Sequence, residues 1–135
     1  MNTKERPDAA APPVTVLLAE DEFLIRLAIA DELRHGGWHV IEVGTADEGA
    51  DVIRSAMPLD LVITDVHMPG ERNGLELARL VRAVRPGTPV VVMSGQLAPT
   101  AADADLYTMF IPKPASDLFA RISALLGQRA APESR

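Results

Sequence analysis

Short apolar runs alternate along this chain with longer segments whose apolar residues recur every three or four positions. The short runs are typical of β-strands that are buried on both faces of a sheet. The longer segments have the spacing of one face of an amphipathic helix. The strands are predicted at Val14–Ala19, His39–Val43, Leu59–Thr64, Val90–Met93 and Met109–Ile111.

The ends of the predicted helices are marked by capping and breaking residues. Thr45 and Glu48 form a capping-box pattern at the start of the second helix. Gly36-Gly37 ends the first helix, and Arg85-Pro86-Gly87 ends the third. The helices are predicted at Phe23–Arg34, from Thr45 to about Ala56, Gly74–Val84 and Ser116–Leu126.

Strands that alternate with helices form βαβ units, and such units build a parallel sheet. Because their crossovers are right-handed, the helices cover both faces of the sheet. Five strands of this length fit an α/β, flavodoxin-like fold with strand order 2-1-3-4-5. In that order the carboxyl ends of strands 1, 3, 4 and 5 lie at one edge of the sheet.

Length and composition indicate a single globular domain. With 135 residues, 47% of them hydrophobic, the chain is long enough to bury a full core. We predict a domain over residues 14–126, with flexible tails over residues 1–13 and 127–135. The lack of cysteine excludes disulfides and thiolate metal sites.

Charge and hydropathy bear on where the protein is located and on which kinds of partner it binds. The first residues lack the apolar core of a signal peptide, and no apolar stretch has the length of a membrane span. A net charge of −6 argues against nonspecific binding to nucleic acid, which depends on basic residues. We therefore expect a cytoplasmic protein that binds neither membranes nor nucleic acid.

Polar residues follow four of the predicted strands. Glu20 and Asp21 follow the first strand, Asp65 the third and Ser94 the fourth, and Lys113 comes shortly after the fifth. Open α/β sheets bind their ligands at the carboxyl ends of their strands. We therefore expect these five side chains to lie close together.

The chemistry of this set suits phosphoryl transfer. Three carboxylates repel one another unless a cation lies between them, and all-oxygen ligands favour Mg²⁺, with Mn²⁺ as a substitute. A carboxylate such as Asp65 can attack phosphorus and form an aspartyl phosphate. Positive charge from a metal ion and Lys113, with a hydrogen bond from Ser94, would stabilise the phosphoryl oxygens.

At these residues the chain resembles the receiver domain of two-component response regulators. The resemblance spans Val14 to Leu126, and its motifs occur in the family's order. The matching motifs are Glu20-Asp21, Asp65, Met68-Pro69-Gly70, Gly74, Ser94 and Lys113-Pro114.

The resemblance implies that Asp65 accepts a phosphoryl group from a phosphohistidine on a sensor histidine kinase or a phosphotransfer protein. It also implies a Mg²⁺ site. Asp21 and Asp65 would be ligands, Glu20 would help directly or through water, and the backbone carbonyl of His67 would be a further ligand.

The resemblance implies roles for three further residues. Ser94 and Lys113 would contact the phosphoryl oxygens. Phe110 stands at the family's aromatic switch position, and Ser94 would act with it in switching. The peptide bond before Pro114 is typically cis in this family, which would aim the lysine into the site.

The chain departs from the family pattern in three places. The loop after Asp65 is longer than the commonest version, and Gly95 follows Ser94 where alanine is more usual. The stretch from there to Lys113 is short, with a weak helical pattern over Thr100–Leu106. We therefore predict a fourth helix that is short or irregular, which alters the family's usual signalling face.

We expect a single-domain response regulator, not an enzyme, that signals by contact with a downstream protein target. The sequence leaves a homodimer open. One alternative is a receiver-like scaffold that works by binding alone. A less favoured one is an aspartyl-phosphate hydrolase of the haloacid dehalogenase type, which would need an acid where His67 stands.

Three further features of the sequence need interpretation. Leu24 and Leu27 widen the apolar face of the first helix, either for ordinary core packing or for contact with a kinase or a second copy. Arg79, Arg82 and Arg85 form a basic stripe that we interpret as a solvated helix face. The side chain of His67, without a histidine at metal-ligand spacing, is interpreted as a spectator.

Overall fold

The strands of the protein form one parallel sheet in the order β2-β1-β3-β4-β5. The computed structural model describes residues 13–70, 73–95, 100–114 and 116–130. The predicted fold class and strand order are confirmed. The strands are β1 Thr15–Ala19, β2 His39–Val43, β3 Leu61–Asp65, β4 Val90–Ser94 and β5 Met109–Pro112.

Four α-helices and one 3₁₀ helix connect and flank these strands within the described residues. The connection from β4 to β5 contains the 3₁₀ helix in place of an α-helix, as expected from its weak apolar pattern. The helices are α1 Phe23–His35, α2 Ala46–Arg54, α3 Gly74–Val84, the 3₁₀ helix Ala101–Leu106 and α4 Leu118–Ala130. Among these residues, none of the helices has the length and apolar character needed to cross a bilayer.

Helices lie on both faces of the sheet, and each face has its own apolar core. Alternate strand residues point to opposite faces, so Val16 and Leu18 join one core while Leu17 joins the other. α1 and α4 cover the first face, and α2 and α3 cover the second. The first core holds Ala30, Leu33, Leu118 and Ile122 from the helices, and the second holds Ala50, Ile53, Leu77 and Val81.

The last helix continues beyond its predicted end. α4 extends to Ala130, four residues past the predicted end at Leu126, so the predicted tail over residues 127–135 begins inside a helix. Gly127 costs about 1 kcal/mol relative to alanine in a helix, which does not end a helix held by earlier core contacts. Residues 131–135 and the first twelve residues of the predicted N-terminal tail lie outside the described residues.

α1 buries one of its two apolar stripes. Ala30 and Leu33 are fully buried, whereas Ala28 is exposed. The interpretation of Leu24 as core is wrong, because its side chain is 74% exposed, and Leu27 is 37% exposed. A helix on a sheet buries a single stripe, so the second stripe faces solvent.

In the predicted solvated stripe, Arg79 and Arg82 are exposed as expected, whereas Arg85 is partly buried, so the prediction is wrong for Arg85. Arg85 donates hydrogen bonds of 2.8 Å to the carbonyl oxygens of Ile53 and Ser55, at the end of α2. Arg82 donates to the carbonyl oxygen of Asp105 in the 3₁₀ helix. The long arginine side chains reach carbonyl groups that have no partner inside their own helices.

Candidate functional site

Three carboxylates converge at the carboxyl ends of β1 and β3. Glu20 and Asp21 directly follow β1, and Asp65 is the last residue of β3. One oxygen from each carboxylate lies within 4.8 Å of the others. Glu20 and Asp65 are buried, whereas Asp21 is exposed, so the cluster opens to solvent on one side.

Lys113 reaches into this cluster from the end of β5. Its Nζ donates hydrogen bonds to Glu20 Oε1 at 2.6 Å and to Asp65 Oδ2 at 3.0 Å. The peptide bond between Lys113 and Pro114 is cis, as the family resemblance implies. We call Glu20, Asp21, Asp65 and Lys113 together the acidic site.

Burial and hydrogen bonds within the acidic site shift the pKa values of Glu20 and Lys113. Burial raises the pKa of Glu20 above 4.5, although the hydrogen bond from Lys113 opposes this shift. Burial alone would lower the pKa of Lys113, but its hydrogen bonds to Glu20 and Asp65 raise that pKa above 10.5. The ammonium is therefore held in its charged form by the carboxylates around it.

The donor set fits a divalent cation. Three carboxylates and one ammonium leave two negative charges uncompensated when all four groups are ionised. All candidate ligands are oxygens, which Mg²⁺ and Mn²⁺ prefer over zinc. The exposed side at Asp21 leaves room for water ligands, which Mg²⁺ usually retains.

Ser94 lies beside the acidic site because of the strand register. It is the last residue of β4, and its neighbour Met93 pairs with Asp65 on β3. On the other side, the backbone N–H of Lys113 donates to the carbonyl oxygen of Ser94 at 2.8 Å. The side chain of Ser94 is 1% exposed, so the hydroxyl is held within the edge of the sheet.

Phe110 and His67 lie near the acidic site but are not part of its contacts. Phe110 is half-buried in β5, with its ring centroid 6.4 Å from that of Tyr107. The side chain of His67 is exposed, in keeping with a spectator side chain. The switch role of Phe110 and the metal-ligand role of the His67 carbonyl stay predictions.

Three further residues support the site. The sequence analysis missed Thr64 and Arg26, and it named Gly74 only as one of the matching motifs. The Thr64 hydroxyl donates to the carbonyl oxygen of Asp65 at 2.9 Å, and Arg26 Nη1 donates to that of Glu20 at 2.8 Å. Gly74 lies so close to β3 that an added Cβ would stand 1.7 Å from the Asp65 carbonyl oxygen. Thr64, a polar residue inside an apolar strand, is the one that left a signal in the sequence.

The chain matches one protein-family model. The model is that of the response regulator receiver domain, and it matches residues 16–122. This range includes all four residues of the acidic site.

Curated relatives with similar sequences include two mycobacterial regulators. The transcriptional regulatory protein PdtaR of Mycobacterium tuberculosis is 36% identical over 137 aligned positions, which cover 90% of this chain and 65% of PdtaR. The probable transcriptional regulatory protein TcrX of the same species is 30% identical, with 87% of this chain and 52% of TcrX covered. The chain thus spans between half and two thirds of the length of these relatives.

Solved structures of similar fold include several receiver domains. A response regulator receiver protein from Sinorhizobium medicae is 29% identical with a TM-score of 0.78, covering 87% of this chain and 97% of its own. The response regulator protein TrrA from Thermotoga maritima, in complex with Mg²⁺ and beryllofluoride, has a TM-score of 0.76 at 22% identity. That alignment covers 84% of this chain and 98% of TrrA, and at this identity it shows the shared fold.

Proposed function

The chain belongs to the response regulator receiver domain family, and we propose that it is a switch controlled by phosphorylation of Asp65. The observation that carries this proposal is the contact of Lys113 with both Glu20 and Asp65 at the open edge of the sheet. An ammonium held between two carboxylates is well placed to follow negative charge that is added to one of them.

The proposed donor of the phosphoryl group is a phosphohistidine on a sensor histidine kinase or a phosphotransfer protein. A carboxylate oxygen of Asp65 attacks the phosphorus atom and forms a P–O bond. The P–N bond to the histidine breaks, and its electron pair stays on the imidazole nitrogen. Lys113 then neutralises a phosphoryl oxygen, and the hydroxyl of Ser94 donates a hydrogen bond to another.

A Mg²⁺ ion is the proposed cofactor of this step, and Mn²⁺ is expected to substitute for it. Asp21 and Asp65 would hold the ion, with Glu20 helping directly or through water and the carbonyl oxygen of His67 as a further ligand. When bound, the ion supplies positive charge to the transferring phosphoryl group. The two uncompensated negative charges of the acidic site support this proposal.

The proposed contact surface for the kinase lies beside the acidic site. An apolar groove of about 440 Å³ lies between α1 and the ends of β4 and β5, and Lys113 is one of its lining residues. The exposed apolar residues Leu24 and Phe23 extend this surface along α1. An apolar surface of this kind next to the phosphoacceptor suits a helix that carries the donor histidine.

The proposed output is a contact with a downstream protein target, set by a shift between two arrangements of the segments after β4 and β5. The weak packing of the 3₁₀ helix, which has no buried residue, supports a rearrangement on this side. Three further properties of the protein remain predictions. They are a stand-alone, single-domain character, a cytoplasmic location and the formation of a homodimer.

The alternative is a receiver-like scaffold that binds its partners without phosphorylation. Such a scaffold would require the fold, but it would not require a lysine that donates hydrogen bonds to two buried carboxylates. The hydrolase alternative is disfavoured by family membership, because receiver domains belong to signalling regulators.

A phosphoryl mimic tests the proposal. Beryllofluoride added with Mg²⁺ should shift the NMR amide signals of Asp65, Ser94 and Lys113 in the wild type. The Asp65→Asn variant should not respond, and Asp51→Asn, a change at an exposed aspartate in α2, should respond like the wild type. Equal responses of wild type and Asp65→Asn would leave the scaffold as the better description.

Metal binding and phosphotransfer are tested separately. Mg²⁺ titration should shift the same signals in the wild type and do so far more weakly in Asp21→Asn. Phosphotransfer from a panel of phosphorylated sensor kinases should label the wild type and Asp51→Asn but not Asp65→Asn. A label that persists in Asp65→Asn would assign the phosphoryl group to another residue.

A further inference from the structure

A second groove runs between α2 and α3, on the face of the sheet opposite α1 and α4. It has a volume of about 320 Å³ and is lined by Arg54, Glu76, Arg79, Leu80 and Ala83. α3 begins beside the acidic site and runs back toward the start of β4, so the groove extends away from that site. It is therefore separate from the proposed phosphorylation chemistry.

The walls of the groove are held rigidly. Gly49 of α2 lies against Leu77 of α3, and a Cβ added to this glycine would stand 3.1 Å from Leu77 Cδ2. Arg85 ties the end of α3 to the end of α2 through the carbonyl oxygens of Ile53 and Ser55. A groove with walls fixed in this way does not have to be ordered when a partner binds, which favours affinity.

The two arginines of the groove differ from most of the other described arginines. Among the described residues, the guanidinium groups of Arg54 and Arg79 form neither a hydrogen bond nor an ion pair. A guanidinium without a partner is suited to bind a carboxylate through two parallel hydrogen bonds. The arginines whose guanidinium groups do bind carboxylate or carbonyl oxygens are Arg26, Arg34, Arg82 and Arg85.

Two exposed apolar residues lie close in sequence to the ends of the helices that form this groove. Val84 follows Ala83 at the end of α3 and is 46% exposed, and Met57 follows the end of α2 and is 44% exposed. The contact of Arg85 with Ser55 brings these two helix ends together. Methionine and arginine are enriched in protein interfaces, and both occur on or beside these two helices.

We infer that the α2–α3 groove binds an acidic segment of a partner protein, in which two carboxylates flank an apolar side chain. The carboxylates pair with Arg54 and Arg79, and the apolar side chain covers Leu80 and Ala83. Glu76 also lines the groove, at the end where α3 begins, and its Oε1 accepts a hydrogen bond from the Asn73 N–H. Two cations beside one carboxylate, on a chain of net charge −6, do not make a nucleic-acid surface.

A peptide selection tests this inference directly, because the groove is presented with random sequences. Random dodecapeptides displayed on phage are selected against the full chain in Mg²⁺, and dissociation constants are measured by fluorescence anisotropy. The selected peptides should carry aspartate or glutamate on both sides of an apolar residue. The double variant Arg54→Glu/Arg79→Glu should bind them at least about tenfold more weakly.

Arg121→Glu is the control for each of the two substitutions, because Arg121 is an exposed arginine on α4 and this change alters the charge by as much as either single substitution does. Peptides without acidic residues, or equal binding by the double variant, would overturn the inference. Binding of duplex DNA, or self-association, that the double variant alone loses would assign the groove to another occupant and also overturn it. The double variant should keep the wild-type response to beryllofluoride, so a failure of the proposed phosphorylation switch would be recognised separately.

Discussion

The two connections on either side of β4 are built very differently. α3, which leads from β3 to β4, is an α-helix of 11 residues that buries Gly74, Leu77, Ala78 and Val81. The connection from β4 to β5 contains a 3₁₀ helix of six residues, Ala101–Leu106, none of which is buried. In the part of the chain that the structure describes, the sheet is therefore firmly covered before β4 and lightly covered after it.

The N-terminal capping of the two helices differs in the same way, because α3 is better capped than the 3₁₀ helix. Asn73 and Glu76 form a complete capping box at the start of α3, each side chain accepting from the backbone N–H of the other. Thr100 makes no capping hydrogen bond at the start of the 3₁₀ helix. Few buried contacts and weak capping give a segment a low free energy of local opening.

The difference suggests which side of the sheet the proposed switch would rearrange. Asp65 is anchored to the firm side through Gly74, whereas Ser94 and Lys113 adjoin the lightly packed side. Added charge on Asp65 would therefore rearrange the segments after β4 and β5 while leaving α3 in place. Arg82, which donates from α3 to the carbonyl oxygen of Asp105, is a direct link between the two sides.

The largest expected effect comes from a pair of glycines. Gly74→Ala should lower the free energy of unfolding by more than about 4 kcal/mol, because the new Cβ would stand 1.7 Å from the Asp65 carbonyl oxygen. Gly95→Ala should change it by less than about 0.5 kcal/mol, since the nearest atom, Lys113 Cβ, is 4.0 Å away. Urea denaturation measures the free energy of unfolding of both variants. Similar losses of stability in the two would contradict the expected difference between these glycines.

A pair of leucines compares the packing of the two connections. Leu77→Ala removes a fully buried side chain of α3 and should cost about 3 kcal/mol of unfolding free energy. Leu106→Ala shortens a half-buried side chain of the 3₁₀ helix and should cost about 1 kcal/mol. Chemical denaturation of both variants provides the measurement, and a larger loss for Leu106→Ala would reverse the order of the two sides.

The residues at the N-terminal caps of α3 and the 3₁₀ helix should give a smaller difference in stability. Asn73→Ala should destabilise the protein by about 1 kcal/mol, because it removes one half of the capping box. Thr100→Ala should cost less than about 0.5 kcal/mol, because its hydroxyl makes only a 3.2 Å contact with Asp103. Thermal unfolding of the two variants, compared with the wild type, tests whether the caps differ as the structure predicts.

The smallest expected effect is on the pH dependence of stability, and it comes from the buried carboxyl group of Glu20. Burial raises the pKa of Glu20 above 4.5 in the folded protein, so the unfolded chain loses this proton first as the pH rises. The contribution of Glu20 to wild-type stability therefore falls from pH 4.5 upward until Glu20 is ionised in the folded state as well. Glu20→Gln lacks this loss, so its stability relative to the wild type should increase from pH 4 to pH 8 in EDTA. Parallel urea curves across this range would contradict the assigned cause.

Much of the fold followed from patterns that are local in the sequence. Alternating apolar runs and helical spacing predicted the strands, the four α-helices and the order of the sheet, and β2 was predicted with its observed bounds. Residues such as Asp65 and Ser94 were placed at one edge, because the carboxyl ends of parallel strands meet there whatever the side-chain packing. The irregular fourth connection was also predicted, from a weak pattern over Thr100–Leu106.

The remaining features depend on contacts between residues that are distant in the chain. α1 has two apolar stripes, and only its packing on the sheet decides that Leu33 is buried while Leu24 is exposed. The same holds for Arg85, whose guanidinium reaches carbonyl groups about thirty positions away in sequence.

The sequence by itself determined which elements form, in what order, and which polar residues share an edge, because periodicity and crossover handedness are properties of short segments. The tertiary structure decided which lysine hydrogen bonds form, which arginines stay without partners and how tightly Gly74 is enclosed. Those outcomes depend on distances of a few ångströms between packed elements, and spacing along a chain does not specify such distances.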